Sequence, residues 1–474
     1  MPAARIAESS GGTILRSDDI EGGQLHARIA VSGRRTNQRL KVQLTASIAG
    51  KQISESEKQD LPRDADIVGI DVPMHVSSEL FDTLDSKFKD ASPQTDTDQW
   101  HKNVALWSPT HPHLYDITIR LFSATSQLLD EVNTTTGMRS ISWQNGDGTF
   151  RLNNKPVFQA LTLDQGYWLD TFMTPPNRDA CKKDIEDSKA LGFNGCRKHQ
   201  KVEAPLFAYW ADRLGFLVWG EMANAYSFSA AYADRFTAEW LDSVRRDINH
   251  PCIVAWTPVN ESWGYTALAS SLPQRNHIRE LYYATKSLDP TRPINDNCGW
   301  EHVVTDMTTF HDYADGPVLA KTCETLDGIL SPKADRPIFT QPISGSHPDP
   351  GISHTTGAPI LCTEFAGINI ATAAASADKD SSNTADWGYT TASSPTDLLA
   401  RIRRMMLGIV DGGHICGFVY TQFADVEQEA NGLYTAGRVA KLEAEQIKEV
   451  VNEAERVYFE RLERRQTESG KDQK

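Results

Sequence analysis

The chain has 474 residues, 39% hydrophobic and 23% charged, with a formal net charge of −15 from 63 acidic and 48 basic residues. That length holds two or three domains with sizeable cores. The acidic balance argues against nucleic acid or an anionic membrane as the main partner, since both demand clustered Lys and Arg.

The N-terminal stretch MPAARIAESSGG has no apolar h-region, and no window approaches ~18 consecutive apolar residues. A cytoplasmic protein that does not span a membrane is therefore expected, with about the first 12 residues disordered. To about residue 143, short alternating runs (QLHARIAVSG, LKVQLTASIAG, ADIVGIDVPM, LYDITIRLFSA, LLDEVNTTTGMRSISW) are separated by polar turns. This pattern predicts a small antiparallel β-sandwich over residues 1–143, with one short ambiguous piece at SSELFDTLDSKF.

After residue 144 strand-like apolar runs alternate with longer helical stretches. PVFQALTLDQ precedes RDACKKDIEDSKALG, FNGCRKH precedes APLFAYWADRLG, and FLVWGEM precedes FTAEWLDSVRRDI. CIVAW, RPINDN, VVTDMTTFHDY, PILCTEF and HICGFVYTQF continue the series to a final helix at KLEAEQIKEVVNEAERVYFERLERR. About eight such repeats predict an α/β domain, a (β/α)8 TIM barrel over residues 144–465 with a disordered tail over 466–474. An open doubly wound sheet competes, but no Gly-rich phosphate loop follows any of the strands. Residues 331–357 read as a long loop over the barrel mouth, and residues 372–395 as a second loop. The seven cysteines lack C-x-x-C or Cys/His spacing and fall in or beside apolar runs, so they read as buried small hydrophobes rather than disulfides or a zinc site.

Barrel enzymes collect reactive residues at the C-terminal ends of their strands. Those positions here are Asp164 and Gln165, Arg197 and His199, Glu221, Asn260 and Glu261, Asp296 and Asn297, His311 and Tyr313, Glu364, and Tyr420, Gln422 and Asp425. Glu261 and Glu364 stand out because each follows an apolar strand and precedes a loop. Two carboxylates across a barrel mouth suit glycosidic cleavage, one protonating the leaving oxygen and one attacking the anomeric carbon. Arg197 would hold Glu364 ionised, and Asn260 would bind a sugar hydroxyl. Against this, a single Glu at a strand end is usually a solvated rim group. Glu221 and Asp425 read as structural ion-pair residues, and a lone His199 as a wall residue rather than a metal ligand. Trp256 and Trp263, on either side of the Asn260–Glu261 pair, are equally compatible with core.

The runs GFNGCRKHQKVEAPLFAYWADRLGFLVWGEM, RRDINHPCIVAWTPVNESWG, LCTEFAG and GFVYTQF resemble the catalytic barrel of glycoside hydrolase family 2, and the preceding region resembles that family's immunoglobulin-like domain. The resemblance implies a retaining β-glycosidase with Glu261 as acid/base and Glu364 as nucleophile. It assigns Asn260, Arg197, His199, His311 and Tyr313 to sugar binding and support of the carboxylates, with Asp164 and Trp300 completing the substrate-binding set. Tyr420 stands where relatives carry a Trp platform. The segment GLYTAGRVAKLE lacks the Asn-x-Lys clamp of glucuronidases, which favours a neutral sugar, with a β-galactoside first and β-glucuronidase or β-mannosidase specificity as alternatives. No metal or cofactor is implied. A carbohydrate is the expected partner, without nucleic acid or membrane, and homo-oligomer formation stays open. Relatives also begin with a sugar-binding jelly roll that this chain is expected to lack, so a binding fragment of impaired activity is the second expectation.

Overall fold

The computed structural model describes residues 4–370 and 389–472. In the N-terminal part the period-two runs form two antiparallel sheets. In one, Gln24–Ser32 pairs with Arg5–Ile6, Ile14–Asp19 and Ile67–Pro73. In the other, Leu40–Ile48 pairs with Tyr115–Ser123, which in turn pairs with Leu128–Thr136. Alternate residues turn inward: Leu25, Ala27, Ile29 and Val31 share one core with Val42, Leu44, Ile117 and Ile119. The pairing already begins at Arg5, inside the stretch expected to be disordered. The ambiguous SSELFDTLDSKF stretch forms a short helix, Ser78–Asp82, and a 3-10 turn, Ser86–Phe88.

Sandwich and barrel are tied by buried polar contacts. Trp107 donates its Nε1–H to the Asp212 carbonyl at 2.7 Å, and Arg139 donates to the carbonyls of Pro251 and Ile253 at 3.0 and 3.1 Å. Gly215, which ends a barrel helix at φ 68°, sits so close to Pro109 that a Cβ would lie 2.5 Å from its carbonyl oxygen.

The barrel strands are β1 (Gln159–Asp164), β2 (Gly195–Lys198), β3 (Leu217–Glu221), β4 (Ile253–Thr257), β5 (Asn297–Cys298), β6 (Thr308–His311), β7 (Ile360–Ala366) and β8 (Gly417–Thr421). Seven lie side by side in the order β4-β3-β2-β1-β8-β7-β6, parallel wherever they pair. Short β5 pairs with Val259–Asn260, the continuation of β4. The runs read as near-continuous apolar stretches because both faces are covered, one by the barrel interior and one by helices.

Among the described residues, seven helices of eight or more residues flank the strands: α1 (Ala180–Ala190), α2 (Pro205–Leu214), α3 (Ala230–Asp247), α4 (Leu272–Leu288), α5 (Gly316–Cys323), α6 (Pro395–Asp411) and α7 (Ala444–Asp472). Ser229, Ser271 and Ser394 start α3, α4 and α6 by accepting the amides of Tyr232, Gln274 and Asp397, and Pro273, inside the first turn of α4, costs no hydrogen bond. The tail expected to be disordered continues α7 to Asp472.

No helix joins β5 to β6. Residues 331–357, the expected mouth loop, pack against the β5–β6 connection, and Arg336 within them pairs with Glu301 at 2.7 Å. Glu301 and His302 donate their amides to the carbonyls of Pro337 and Ile338, and Arg275 on α4 pairs with Asp349 at 2.8 Å. The second expected loop lies outside the described residues up to 388; beyond it Thr390–Ala392 pairs in parallel with Ile368–Ile370. All seven cysteines are free and buried. Among the described residues no helix is long and apolar enough to cross a membrane.

Candidate active site

The β4 run ends in an unusual turn. Glu261 and Ser262 both take left-handed backbone, φ 51° and 58°, which costs a non-glycine residue about 1 kcal/mol or more each. The turn persists because its surroundings fix it. The Asn297 side chain accepts the Ser262 amide at 2.9 Å and donates to its hydroxyl at 2.9 Å, and Ser262 Oγ donates to Glu301 at 2.6 Å. The Glu261 amide donates to the Cys298 carbonyl at 3.0 Å. This geometry lifts the Glu261 carboxylate to the mouth, 19% exposed.

Glu364, midway along the fully buried β7, turns into the barrel. Arg197 Nη1 donates to its Oε1 at 2.9 Å and the Tyr313 hydroxyl to its Oε2 at 2.5 Å. His199 Nδ1 is 3.6 Å from Oε1, and His311 Nδ1 is 3.5 Å from Oε2. Burial alone would raise this carboxyl, but the charges of His311, Arg197 and His199 and the Tyr313 hydrogen bond outweigh it and bring it down to about 2. Burial would likewise lower His311, but Glu364, Cys298 and Glu261 push it up to about 10. Glu364 is thus an anion facing an imidazolium. Burial and the Glu364 charge keep Tyr313 well above its ordinary value, so it remains a donor.

Arg197 is the hub beneath both carboxylates. Beyond Glu364 it donates to both oxygens of Glu221, at 2.7 and 3.2 Å, to the Thr363 carbonyl at 3.0 Å and to Asn260 Oδ1 at 2.6 Å. With its carbonyl oxygen so occupied, Asn260 keeps its buried Nδ2 without a protein partner. Buried His311 Nε2 is also unpartnered, while Nδ1 lies 2.7 Å from Glu261 Oε1. Carboxylate oxygens of Glu261 and Glu364 and a ring nitrogen of His311 all lie within 4.8 Å of one another. Such spacing also suits a metal ion, which would bind His311 in its deprotonated form.

The other expected residues divide. Trp300 packs edge-on to His311, ring centres 5.5 Å apart, beside the pair. Asp164 lies at the end of β1 but is held by Lys198 at 2.6 Å, a lysine also paired with Glu203 at 2.7 Å. Tyr420 does not form the expected platform: its ring is buried against Phe193 and Phe365 on the helix side of the wall. Strand alternation makes the next residue, Thr421, the inward one, and its hydroxyl is 3.3 Å from that of Tyr313. Glu221 and Asp425 are ion-pair residues, the latter with Lys441 at 2.7 Å. Trp256 is core, its Nε1–H donated to Asp289 at 2.8 Å, whereas Trp263 lies on the rim and is 44% exposed. Sequence reasoning missed Tyr389, which stacks on Tyr313 at 3.5 Å between ring centres. No strand signal marks it. It also missed Asn224, which donates to the Trp263 carbonyl at 2.8 Å and ties the loop after β3 to the Glu261 turn.

Comparison with known proteins places this geometry. Residues 16–139 match the model for glycosyl hydrolases family 2, and residues 147–341 match the TIM barrel domain of the same family. A β-galactosidase of Thermoanaerobacter pseudethanolicus is 28% identical over 257 residues, covering 53% of this chain and 31% of that protein. A β-galactosidase of Pectobacterium atrosepticum is 32% identical over 206 residues, covering 40% of this chain and 18% of the relative. The matched segments therefore span under a third of either curated relative. The solved structure of a Bacteroides uniformis β-glucuronidase 2 superposes with a TM-score of 0.67 over 93% of this chain and 50% of its own, at 16% identity, a likeness of fold. Two consecutive domain models of one family, in the family's order on a sandwich and a barrel, show that the chain belongs to glycosyl hydrolase family 2.

Proposed function

We propose that this protein is a retaining exo-β-glycosidase that removes a terminal neutral sugar, a β-galactoside first, by double displacement. The observation that carries this reading is the spacing of two unlike carboxylates. An oxygen of each lies within 4.8 Å of the other, which favours the ~5–5.5 Å carboxyl separation of retaining enzymes over the ~6.5–9.5 Å of inverting ones. Glu364, buried and held ionised by Arg197, attacks the anomeric carbon. Glu261, on the exposed side, protonates the glycosidic oxygen as its bond breaks. The glycosyl–Glu364 ester is then hydrolysed by a water that Glu261 deprotonates, and Tyr313 stabilises the carboxylate as it leaves. The free Nδ2 of Asn260 is suited to a sugar hydroxyl whose hydrogen bond strengthens in the transition state.

Charge supports the neutral-sugar assignment. Among the described residues, the cations near the mouth are already committed: Arg197 to Glu221 and Glu364, Lys198 and Lys201 to Glu203, and Arg336 to Glu301. A uronate carboxylate would add a further negative charge beside Glu261 and Glu364. The β-galactosidase names of the two curated relatives point the same way.

A panel of 4-nitrophenyl β-glycosides tests the activity, with Glu364→Gly assayed with and without azide. The expected result is turnover of one neutral β-glycoside, lost in the variant and partly restored by azide as an α-glycosyl azide. Binding without turnover in the unaltered chain would instead make it a carbohydrate-binding protein, and full activity of the variant would remove Glu364 as nucleophile.

A further inference from the structure

Among the described residues, several large aromatic side chains on loops beyond the strand ends are exposed, Phe172 at 59% and Tyr389 at 51% among them. Tyr226, in the loop after β3, is 82% exposed, and Trp263, two residues beyond Glu261, is 44% exposed. Single exposed aromatics are unremarkable on a protein surface. These two differ because they come from separate loops and meet, with ring centres 5.6 Å apart and planes at 79°.

The meeting is built into the backbone. Asn224 donates to the Trp263 carbonyl at 2.8 Å, and its Oδ1 accepts the amide of Asn260 at 3.3 Å. Gly264, at φ 82°, lies so close to the same loop that a Cβ there would stand 2.6 Å from the Ala225 carbonyl oxygen. The two aromatics are thus fixed to the turn that carries Glu261. An acid that protonates the glycosidic oxygen must face the leaving group, so the surface next to it on the exposed side is where that group rests.

We propose that Trp263 and Tyr226 form the leaving-group subsite, a two-walled aromatic shelf for a leaving group that presents a ring face, either the C–H face of a second sugar or an aryl ring. This rests on the glycosidase reading above and adds what the enzyme recognises beyond the cleaved bond. The indole offers the broad apolar face, and the phenol edge bounds it. Aromatic stacking of this kind rewards a flat ring and gives nothing to a leaving group without one.

The test compares three β-glycosides of one sugar: for galactose, 4-nitrophenyl β-galactoside, lactose and β-galactosyl fluoride. In Trp263→Ala the ratio of kcat/KM for each ring-bearing substrate to that for the fluoride falls about tenfold, chiefly through KM, and Trp263→Phe recovers most of it. A larger loss on lactose than on the aryl glycoside identifies a sugar as the occupant, and the reverse identifies an aryl group. A parallel fall on all three substrates, or no fall on any, overturns the proposal.

A second measurement needs no turnover. In Glu364→Gln protein, calorimetric affinity for 4-nitrophenyl β-galactoside and lactose should drop about tenfold when Trp263→Ala is added. Equal affinity with and without the indole, or no binding of either compound, overturns the shelf. Failure of every donor in the unaltered enzyme would remove the glycosidase reading, and the binding comparison would still decide the shelf.

Discussion

Nδ1 of His311 lies 2.7 Å from Oε1 of Glu261 and 3.5 Å from Oε2 of Glu364, so one imidazolium is shared unequally by the two carboxylates. In the proposed reaction its closer partner, Glu261, is the group that must carry a proton, and its farther partner, Glu364, is the group that must not. Gly299 leaves room for the ring: with φ 105°, any Cβ there would stand 2.7 Å from His311 Nδ1.

That relationship fixes a pH response. Glu364 is drawn down to about 2, against burial, by His311, Arg197 and His199, so the proposed nucleophile is ionised throughout the working range. Replacing His311 with Gln removes one of these charges. The acidic limb of kcat/KM should then move up by about one pH unit, read on an aryl glycoside. An unmoved limb would mean that Arg197 alone holds the anion.

Stability should follow the same two groups with opposite signs. The Glu364 carboxyl is lowered on folding, so its contribution is present above the ordinary value of 4.5 and is lost as pH falls toward about 2. His311 is raised, so its contribution is complete below 6.5 and is lost as pH rises through about 10. Tm should therefore fall on both sides of a plateau between those ordinary values. His311→Gln should flatten the alkaline slope, which a pH series of thermal melts would reveal.

Removing the Tyr313 hydroxyl deletes a 2.5 Å hydrogen bond to a buried anion. Tyr313→Phe should lower kcat by about 10–100-fold, the range for a hydrogen bond to a charged group. The loss should fall on hydrolysis of the glycosyl-enzyme, because the carboxylate becomes a poorer leaving group. Stopped-flow assays of an activated aryl glycoside should then show a burst. A change in KM alone would place Tyr313 in sugar binding instead.

Glu261→Ala should cost about 10²–10⁴ in kcat/KM for substrates with poor leaving groups, and far less for dinitrophenyl glycosides, which need no proton. Equal losses across a leaving-group series would contradict the acid role. A chelator should leave these rates unaltered, and activity lost to chelation and restored by one added metal would reopen the Glu261–His311–Glu364 group as a metal site.

Lys198 lies buried between Asp164 and Glu203 at 2.6 and 2.7 Å. Lys198→Met strands two carboxylates and should cost about 3–5 kcal/mol, seen as a lower denaturation midpoint. Adding Asp164→Asn should recover part of the loss. If Asp164→Asn by itself mainly raises KM and leaves stability alone, its carboxylate serves the sugar rather than the lysine.

The sequence by itself determined the elements and the short list. Period-two runs gave the sandwich, and buried runs alternating with helices gave the barrel, because backbone geometry sets those periods locally. Strand ends then listed Arg197, His311 and Tyr313 among others and singled out Glu261 and Glu364, and the family resemblance supplied their expected roles, without any knowledge of distance.

Only the tertiary structure decided which of these meet and which way each one faces. Tyr420 and Thr421 differ by one residue, and strand alternation sends one to the helices and the other toward Tyr313. Trp256 and Trp263 both flank the Asn260–Glu261 pair, yet one packs in the core and the other is exposed beside Tyr226. Tyr389 joins the site through a stack on Tyr313, a contact no spacing encodes. The physical reason is closure. Arg197 reaches Glu364, 167 positions away, only because β2 and β7 are brought round to face each other across one interior. A side chain's partners there depend on the register of every strand between them.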